Sequence, residues 1–414
     1  MHVPPPGAAW MPTRRRALRR TLKALLVLAI VLVVALAGYV GYVTVRQQQE
    51  VALPAPTGRY PVGRTTADWT DDARTDPLAP RSGMPRELSA WLWYPAAPAP
   101  GAAPARYTPG AWSGLHLHDP LGLGETRFDH VRVHAVADAP AAAGRFPVVV
   151  LEPGLGLAAP QYTTLAENLA SHGYLVAGIT PTYSAHLTVL DGRPVGATPA
   201  GNLEESDAAA MRPAADRLVS VWAADDRFAA SRVAALDATG RFAGHVDAAT
   251  TVYLGHSFGG AAALQACHDD PRCAGAADLD GTPFGTVVQA GLGKPMMLLA
   301  SQGSCITGTC RPSGSDEQST RDAARTLLAA STGPVSSFQL DGARHLNFSD
   351  YGAYYLAAPI RALVGLGSID GDHALTITDA YLAAFVDHVA RGVPEPLLAG
   401  SSPYPQVEVQ RTAS

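Results

Sequence analysis

The chain has 414 residues, 47% of them apolar, with 31 Lys and Arg against 36 Asp and Glu. That length accommodates one large domain or two ordinary ones, and the apolar share fits a sizeable core plus one membrane segment. A formal net charge of −5 argues against a nucleic-acid partner, because nucleic-acid binders are clearly basic.

The first element is N-terminal. Arg14, Arg15, Arg16, Arg19, Arg20 and Lys23 form a basic cluster, and no charged residue follows from Ala24 to Val45. A helix of that length rises on the order of 30 Å, which matches a bilayer core. Basic residues stay on the cytoplasmic side. The expected division is therefore a cytoplasmic segment 1–23, a transmembrane helix 24–45, a linker 46–58, a main domain 59–400 outside the cytoplasm, and a C-terminal tail 401–414. A cleaved signal peptide is the alternative, with Ala35-Leu36-Ala37 as its processing site. The polar run Gln47-Gln48-Gln49-Glu50, then Pro54 and Pro56, reads as a short stalk.

Beyond the stalk, strand and helix signals alternate. Leu88–Tyr94, Val148–Leu151 and Leu175–Ile179 are apolar runs of strand length. Tyr162, Leu165, Ala166 and Leu169 lie on one face of a helix, which Gly173 ends. Residues 184–212 read as a loop-like insertion, and Pro213 suits the first turn of a long helix. Thr251–Leu254, Ala274–Leu279, Pro295–Ala300 and Ser336–Leu340 are further strands. Ala261–Cys267, Ser319–Ala330 and a segment marked by Leu382, Phe385, Val386 and Val389 are helices. This alternation predicts an α/β protein with a mostly parallel sheet covered on both faces. In such sheets the functional site lies beyond the carboxyl ends of the strands.

Gly255-His256-Ser257-Phe258-Gly259 follows the strand Thr251–Leu254 and precedes a small-residue helix. A strand–turn–helix setting is what turns this otherwise weak motif into a nucleophile elbow. A serine hydroxyl needs a base, and the chain order for such sites is Ser, acid, His. His345 follows the strand Ser336–Leu340 and is the expected base. His268, His373 and His388 are the other downstream histidines. Asp280, at the end of Ala274–Leu279, is the expected acid, with Asp278 two residues earlier as its competitor. The next strand ends in Ser301-Gln302-Gly303-Ser304, which offers no carboxylate. The oxyanion should meet the amides of Phe258, directly after the nucleophile, and Leu155, in the Gly154-Leu155-Gly156 loop. That loop is not a dinucleotide fingerprint, because Ala159 stands at its third glycine position.

Other motifs carry less. His116-Leu117-His118-Asp119 lacks the further ligands of a metal site, so neither metal nor cofactor is expected. Glu204, Glu205 and Asp207 read as a solvated surface. Cys267 and Cys273, and Cys305 and Cys310, lie close enough in sequence for two local disulfides in an oxidising compartment, with four free thiols as the alternative.

From about Tyr60 to Gly392 the sequence resembles the plasma-type (isoform II) platelet-activating factor acetylhydrolases and their bacterial relatives. The matching motifs are Leu92-Trp93-Tyr94-Pro95, Gly154-Leu155-Gly156, Gly255-His256-Ser257-Phe258-Gly259-Gly260, Leu279-Asp280, and His345 with Asn347 and Phe348. Pro153 departs from the histidine that usually opens the family's oxyanion loop. The resemblance implies the α/β-hydrolase fold and metal-free hydrolysis of short-acyl esters, including phospholipid-like ones. A small-molecule or lipid ester is then the expected substrate. A peptidase or another esterase on the same fold, and a non-catalytic membrane-tethered binding protein, are the rival readings.

Overall fold

Short apolar runs separated by amphipathic helices assemble into one ten-stranded sheet. The computed structural model of the chain describes residues 11–115, 124–203, 208–357 and 360–412; the motif at 116–119 and the acidic cluster at 204–207 lie outside them. The strands of the large sheet are β1 (Val62–Thr75), β2 (Pro85–Pro95), β3 (Val136–Ala137), β4 (Phe146–Glu152), β5 (Leu175–Thr180), β6 (Val246–His256), β7 (Cys273–Leu279), β8 (Met296–Ser301), β9 (Val335–Leu340) and β10 (Val407–Arg411). They lie in the order β10-β9-β8-β7-β6-β4-β5-β2-β1-β3. From β5 to β9 all neighbours run parallel. β2 is antiparallel to β5 and to β1, and β10 is antiparallel to β9.

The main helices are α1 (Met11–Arg46), α2 (Thr163–Ser171), α3 (Ala208–Ala235), α4 (Phe258–Asp269), α5 (Ser315–Ala330) and α6 (Gly371–Arg391). Strand alternation assigns each residue a face. Val148 and Val150 pack with Ile179, Leu298 and Ala300 beneath Val233 of α3, Leu264 of α4 and Leu327 of α5. Val149 and Leu151 pack with Leu254, Leu299 and Phe338 against Leu165 and Leu169 of α2 and Leu382 and Phe385 of α6. Burial on both faces explains why the central strands read as unbroken apolar runs.

Within α1, residues 16–46 form a helix long and apolar enough to cross a membrane. Its aliphatic side chains, among them Leu25, Val33 and Leu36, point outward.

Several segments differ from expectation. The 46–58 segment is not a free stalk. Val51–Ala52 pairs with Val131–Arg132, Leu53 is buried, and the Thr57 amide donates to Asn168 of α2 at 2.9 Å. Apolar Leu53 and the polar partners on α2 hold it to the domain. The 184–212 segment is not all loop. Thr188–Leu190 and Arg193–Val195 form a hairpin around Asp191 and Gly192, both with positive φ, a turn that an Asp-Gly pair favours. Helix α3 begins at Ala208, so Pro213 lies inside it and not in its opening turn; the alanine run 208–210 extends the helix backward. The 401–414 segment contributes β10, an added edge strand. The two disulfides join Cys267 to Cys273 and Cys305 to Cys310, so no described cysteine is free.

Candidate active site

Ser257 stands between β6 and α4 with φ 57° and ψ −125°, a strained conformation for a residue with a Cβ. Its neighbours make the turn possible. A Cβ on Gly255 would sit 2.1 Å from the Gly259 carbonyl oxygen, and one on Gly259 would sit 2.4 Å from the carbonyl oxygens of Glu152 and Pro153. Only glycine admits backbones this close.

His345 opens a short helical turn after β9, 88 residues from Ser257 in sequence, yet its Nε2 lies 2.8 Å from Ser257 Oγ. Its Nδ1 lies 2.8 Å from Asp280 Oδ2. Asp280 accepts, so Nδ1 carries the proton and Nε2 is free to accept from the hydroxyl. Asp280 leaves β7 with φ 59°, and that turn carries its carboxylate to β8. There the Ser301 amide donates to Oδ1 at 2.8 Å and the Ser301 hydroxyl to Oδ2 at 2.9 Å. Burial alone would raise the Asp280 carboxyl. The hydrogen bond and charge of His345, with the donors at Ser301 and Ser304, outweigh it and hold the carboxyl below its ordinary range.

The structure thus brings Ser257, His345 and Asp280 together and leaves the competing residues apart. Asp278 is fully buried beneath the elbow, where its Oδ1 accepts the Gly281 amide at 2.8 Å. Burial, joined by the nearby Asp280 charge, pushes its carboxyl well above the usual range. His268 and His388 are exposed on α4 and α6, bonded to the carbonyls of Gly291 and Val393. His373 lies in the first turn of α6.

Gly154 brings the β4 loop against the serine: a Cβ there would lie 3.1 Å from Ser257 Cβ. Among the described residues neither the Leu155 amide nor the Phe258 amide has an acceptor within the protein. Phe258 is the first residue of α4, so its amide belongs to the unpaired, partially positive helix start. A cavity of about 300 Å³ opens over Ser257 and His345, walled by Leu155, Leu157, His186 and Leu346, with Leu363 and Val364 at its edge. Leu363 is 85% exposed.

Sequence reasoning missed Ser301, Tyr162, His186 and the use made of His256. In the sequence Ser301 marks only the lack of a carboxylate after its strand, and Tyr162 only one residue of a helix face. His256 occupies a variable position of the elbow motif, and no local pattern foretells its contacts. Among the described residues no group of three or more His, Cys, Asp or Glu side chains could hold a metal ion.

The model of the platelet-activating factor acetylhydrolase, isoform II, family matches residues 234–391, a span that contains Ser257, Asp280 and His345. A probable 1-alkyl-2-acetylglycerophosphocholine esterase of Arthroderma benhamiae is 33% identical over 165 residues, 37% of this chain. That match spans only 41% of the relative's length. A ferulic acid esterase from Streptomyces cinnamoneus superposes with a TM-score of 0.72 at 31% identity, covering 87% of this chain and 99% of that one. By its sheet order, its elbow and these matches, the chain belongs to the isoform II platelet-activating factor acetylhydrolase family of the α/β-hydrolases.

Proposed function

We propose that the chain is a serine carboxylic-ester hydrolase that works through an acyl-enzyme. The observation that carries this reading is the unbroken hydrogen-bonded line from Ser257 Oγ through His345 to Asp280, 2.8 Å at each link. His345 takes the Ser257 proton as Oγ attacks the ester carbonyl. The negative oxygen settles against the amides of Leu155 and Phe258, which no protein group competes for. Asp280 holds the imidazole in the required tautomer and stabilises its cation. His345 then protonates the leaving alcohol, and water attacks the acyl-enzyme with His345 again as base.

Short-acyl esters, including phospholipid-like ones, are the proposed substrates. The name of the fungal relative supports this class, as does a cavity of about 300 Å³ walled largely by aliphatic side chains. A second class, esters of hydroxycinnamic acids, has support from the ferulic acid esterase, whose whole chain this one nearly covers. Residues 59–400 form the catalytic domain in this reading. The helix at 24–45 anchors it, with residues 1–23 in the cytoplasm and the domain outside. The basic cluster before the helix and the two disulfides support that orientation.

A fluorophosphonate probe should label the wild type and not Ser257→Ala, and the variant should lose about 10⁴- to 10⁶-fold in turnover. Equal labelling of both would overturn the assignment. A panel of p-nitrophenyl esters of rising chain length, a 2-acetyl phospholipid, methyl ferulate and peptide substrates separates the substrate classes.

A further inference from the structure

His256 lies between Gly255 and Ser257 and is fully buried. Its Nε2 is 2.8 Å from the backbone carbonyl oxygen of His345. A carbonyl only accepts, so Nε2 bears the proton. Burial first, and the facing His345 next, push the His256 imidazole down to about 3. The ring is therefore neutral at working pH, and Nδ1 is an acceptor. Nδ1 lies 2.7 Å from the Tyr162 hydroxyl, which donates to it. The same hydroxyl oxygen accepts the Gly154 amide at 3.0 Å.

Every proton in this line is thereby assigned. The Gly154 N–H donates to Tyr162, the Tyr162 O–H donates to His256, and the His256 Nε2–H donates to the His345 carbonyl. One end is the residue just before Leu155, and the other is the backbone of the residue that carries the base. The line passes behind Ser257 through buried side chains, with Tyr162 only 1% exposed. Each link is oriented, and the two links at Tyr162 are buried, so the loss of one group strands its neighbours where water replaces it poorly.

We propose that Tyr162 and His256 are positioning residues that act as one strut, setting the separation between the Leu155 amide and the His345 imidazole across Ser257. This rests on the ester-hydrolase reading and adds to it. Neither side chain needs to touch substrate. Their work is to hold the oxyanion donor and the base at the spacing the transition state requires, where a displacement on the order of 1 Å costs about 100-fold.

The test is Tyr162→Phe, which keeps the ring and removes the hydroxyl, assayed beside His256→Phe, His256→Gln, the Tyr162→Phe/His256→Phe double variant and Ser257→Ala. Short p-nitrophenyl esters serve as substrates, and thermal melts report folding. Expected for Tyr162→Phe is a kcat lower by roughly 10- to 100-fold with KM within about threefold. The double variant should be no worse than its poorer parent. His256→Gln, whose amide N–H can reach the His345 carbonyl, should exceed His256→Phe. A folded Tyr162→Phe with wild-type kcat, or losses that simply multiply in the double variant, overturns the strut. Activity that survives in Ser257→Ala overturns the hydrolase reading instead.

Discussion

Ser301 donates twice to Asp280, through its amide at 2.8 Å and its hydroxyl at 2.9 Å. The position at the end of β8 that lacks a carboxylate is therefore not idle, because after the hydrogen bond and charge of His345 its donors help to hold the buried Asp280 carboxyl below its ordinary range. Removing the hydroxyl takes one of these donors and leaves the amide. Ser301→Ala should lower kcat/KM by roughly tenfold, with the loss in kcat, since a hydrogen bond to a charged group contributes about 1.5–3 kcal/mol and only part of it bears on His345. Steady-state kinetics on a short p-nitrophenyl ester checks this, and a changed KM at constant kcat would contradict it.

The two carboxyls at the end of β7 should part sharply. Asp280→Asn removes the acceptor that fixes the His345 tautomer and should cost about 10⁴ in kcat. Burial pushes the Asp278 carboxyl well above its ordinary range, and the group needs only one oxygen for the Gly281 amide. Asp278→Asn offers the same oxygen, so its kcat should stay within about threefold of wild type. The reverse ranking of the two variants would reassign the acid.

How far the sequence alone reaches follows from what each residue depends on. The elbow was legible because Gly255, Ser257 and Gly259 lie within one turn, where spacing is the chemistry. Asp280 and His345 were legible because each lies in the loop that follows a strand of the parallel sheet, and topology delivers such loops to one edge. Ser301, Tyr162 and His256 act through contacts between distant segments, and nothing in their own neighbourhoods marks them. β1 carries no clear apolar signal because Thr66, Asp68, Thr70 and Asp72 along it are exposed, and β10 carries none because it is an edge strand with mostly exposed side chains. The 188–195 hairpin is a different case: Asp191-Gly192 is a readable turn signal inside a segment whose composition otherwise reads as loop.

A buried ion cluster joins β2 to α3. Arg86 is 1% exposed, and it bonds Asp76 at 2.9 Å and Asp225 at 2.7 Å. The Thr182 carbonyl also accepts from it, at 2.8 Å. Arg86→Met would leave two buried carboxylates without their main partner. The expected cost is about 3–5 kcal/mol, read by urea unfolding of the full chain in detergent. Arg86→Lys should recover only part of it, because an ammonium cannot reproduce the forked contact with Asp225. A loss below about 1 kcal/mol for Arg86→Met would mean that Arg74, 2.8 Å from Asp225, suffices.

Beside this cluster, Glu152 at the end of β4 and Asp226 of α3 face each other, both fully buried. Burial raises both carboxyls. The Asp226 charge raises Glu152 further, and the Asp225 charge adds to the rise at Asp226, whose carboxyl is pushed up to about 8. An unfolded aspartate ionises near about 3.9, so at neutral pH the folded chain holds a proton that the unfolded chain has released. The stability tied to that proton is complete below about pH 4 and disappears as pH rises through about 8. The wild-type melting temperature should therefore fall between about pH 5 and 8 and level off above that. Asp226→Asn, which is neutral throughout, should fall less. Glu152 directly precedes the Pro153–Gly156 loop, so ionisation of the pair strains the segment that carries the Leu155 amide. Turnover measured after incubation at about pH 9 should decay faster in the wild type than in Asp226→Asn. Parallel melting profiles for the two proteins would show that the proton resides elsewhere.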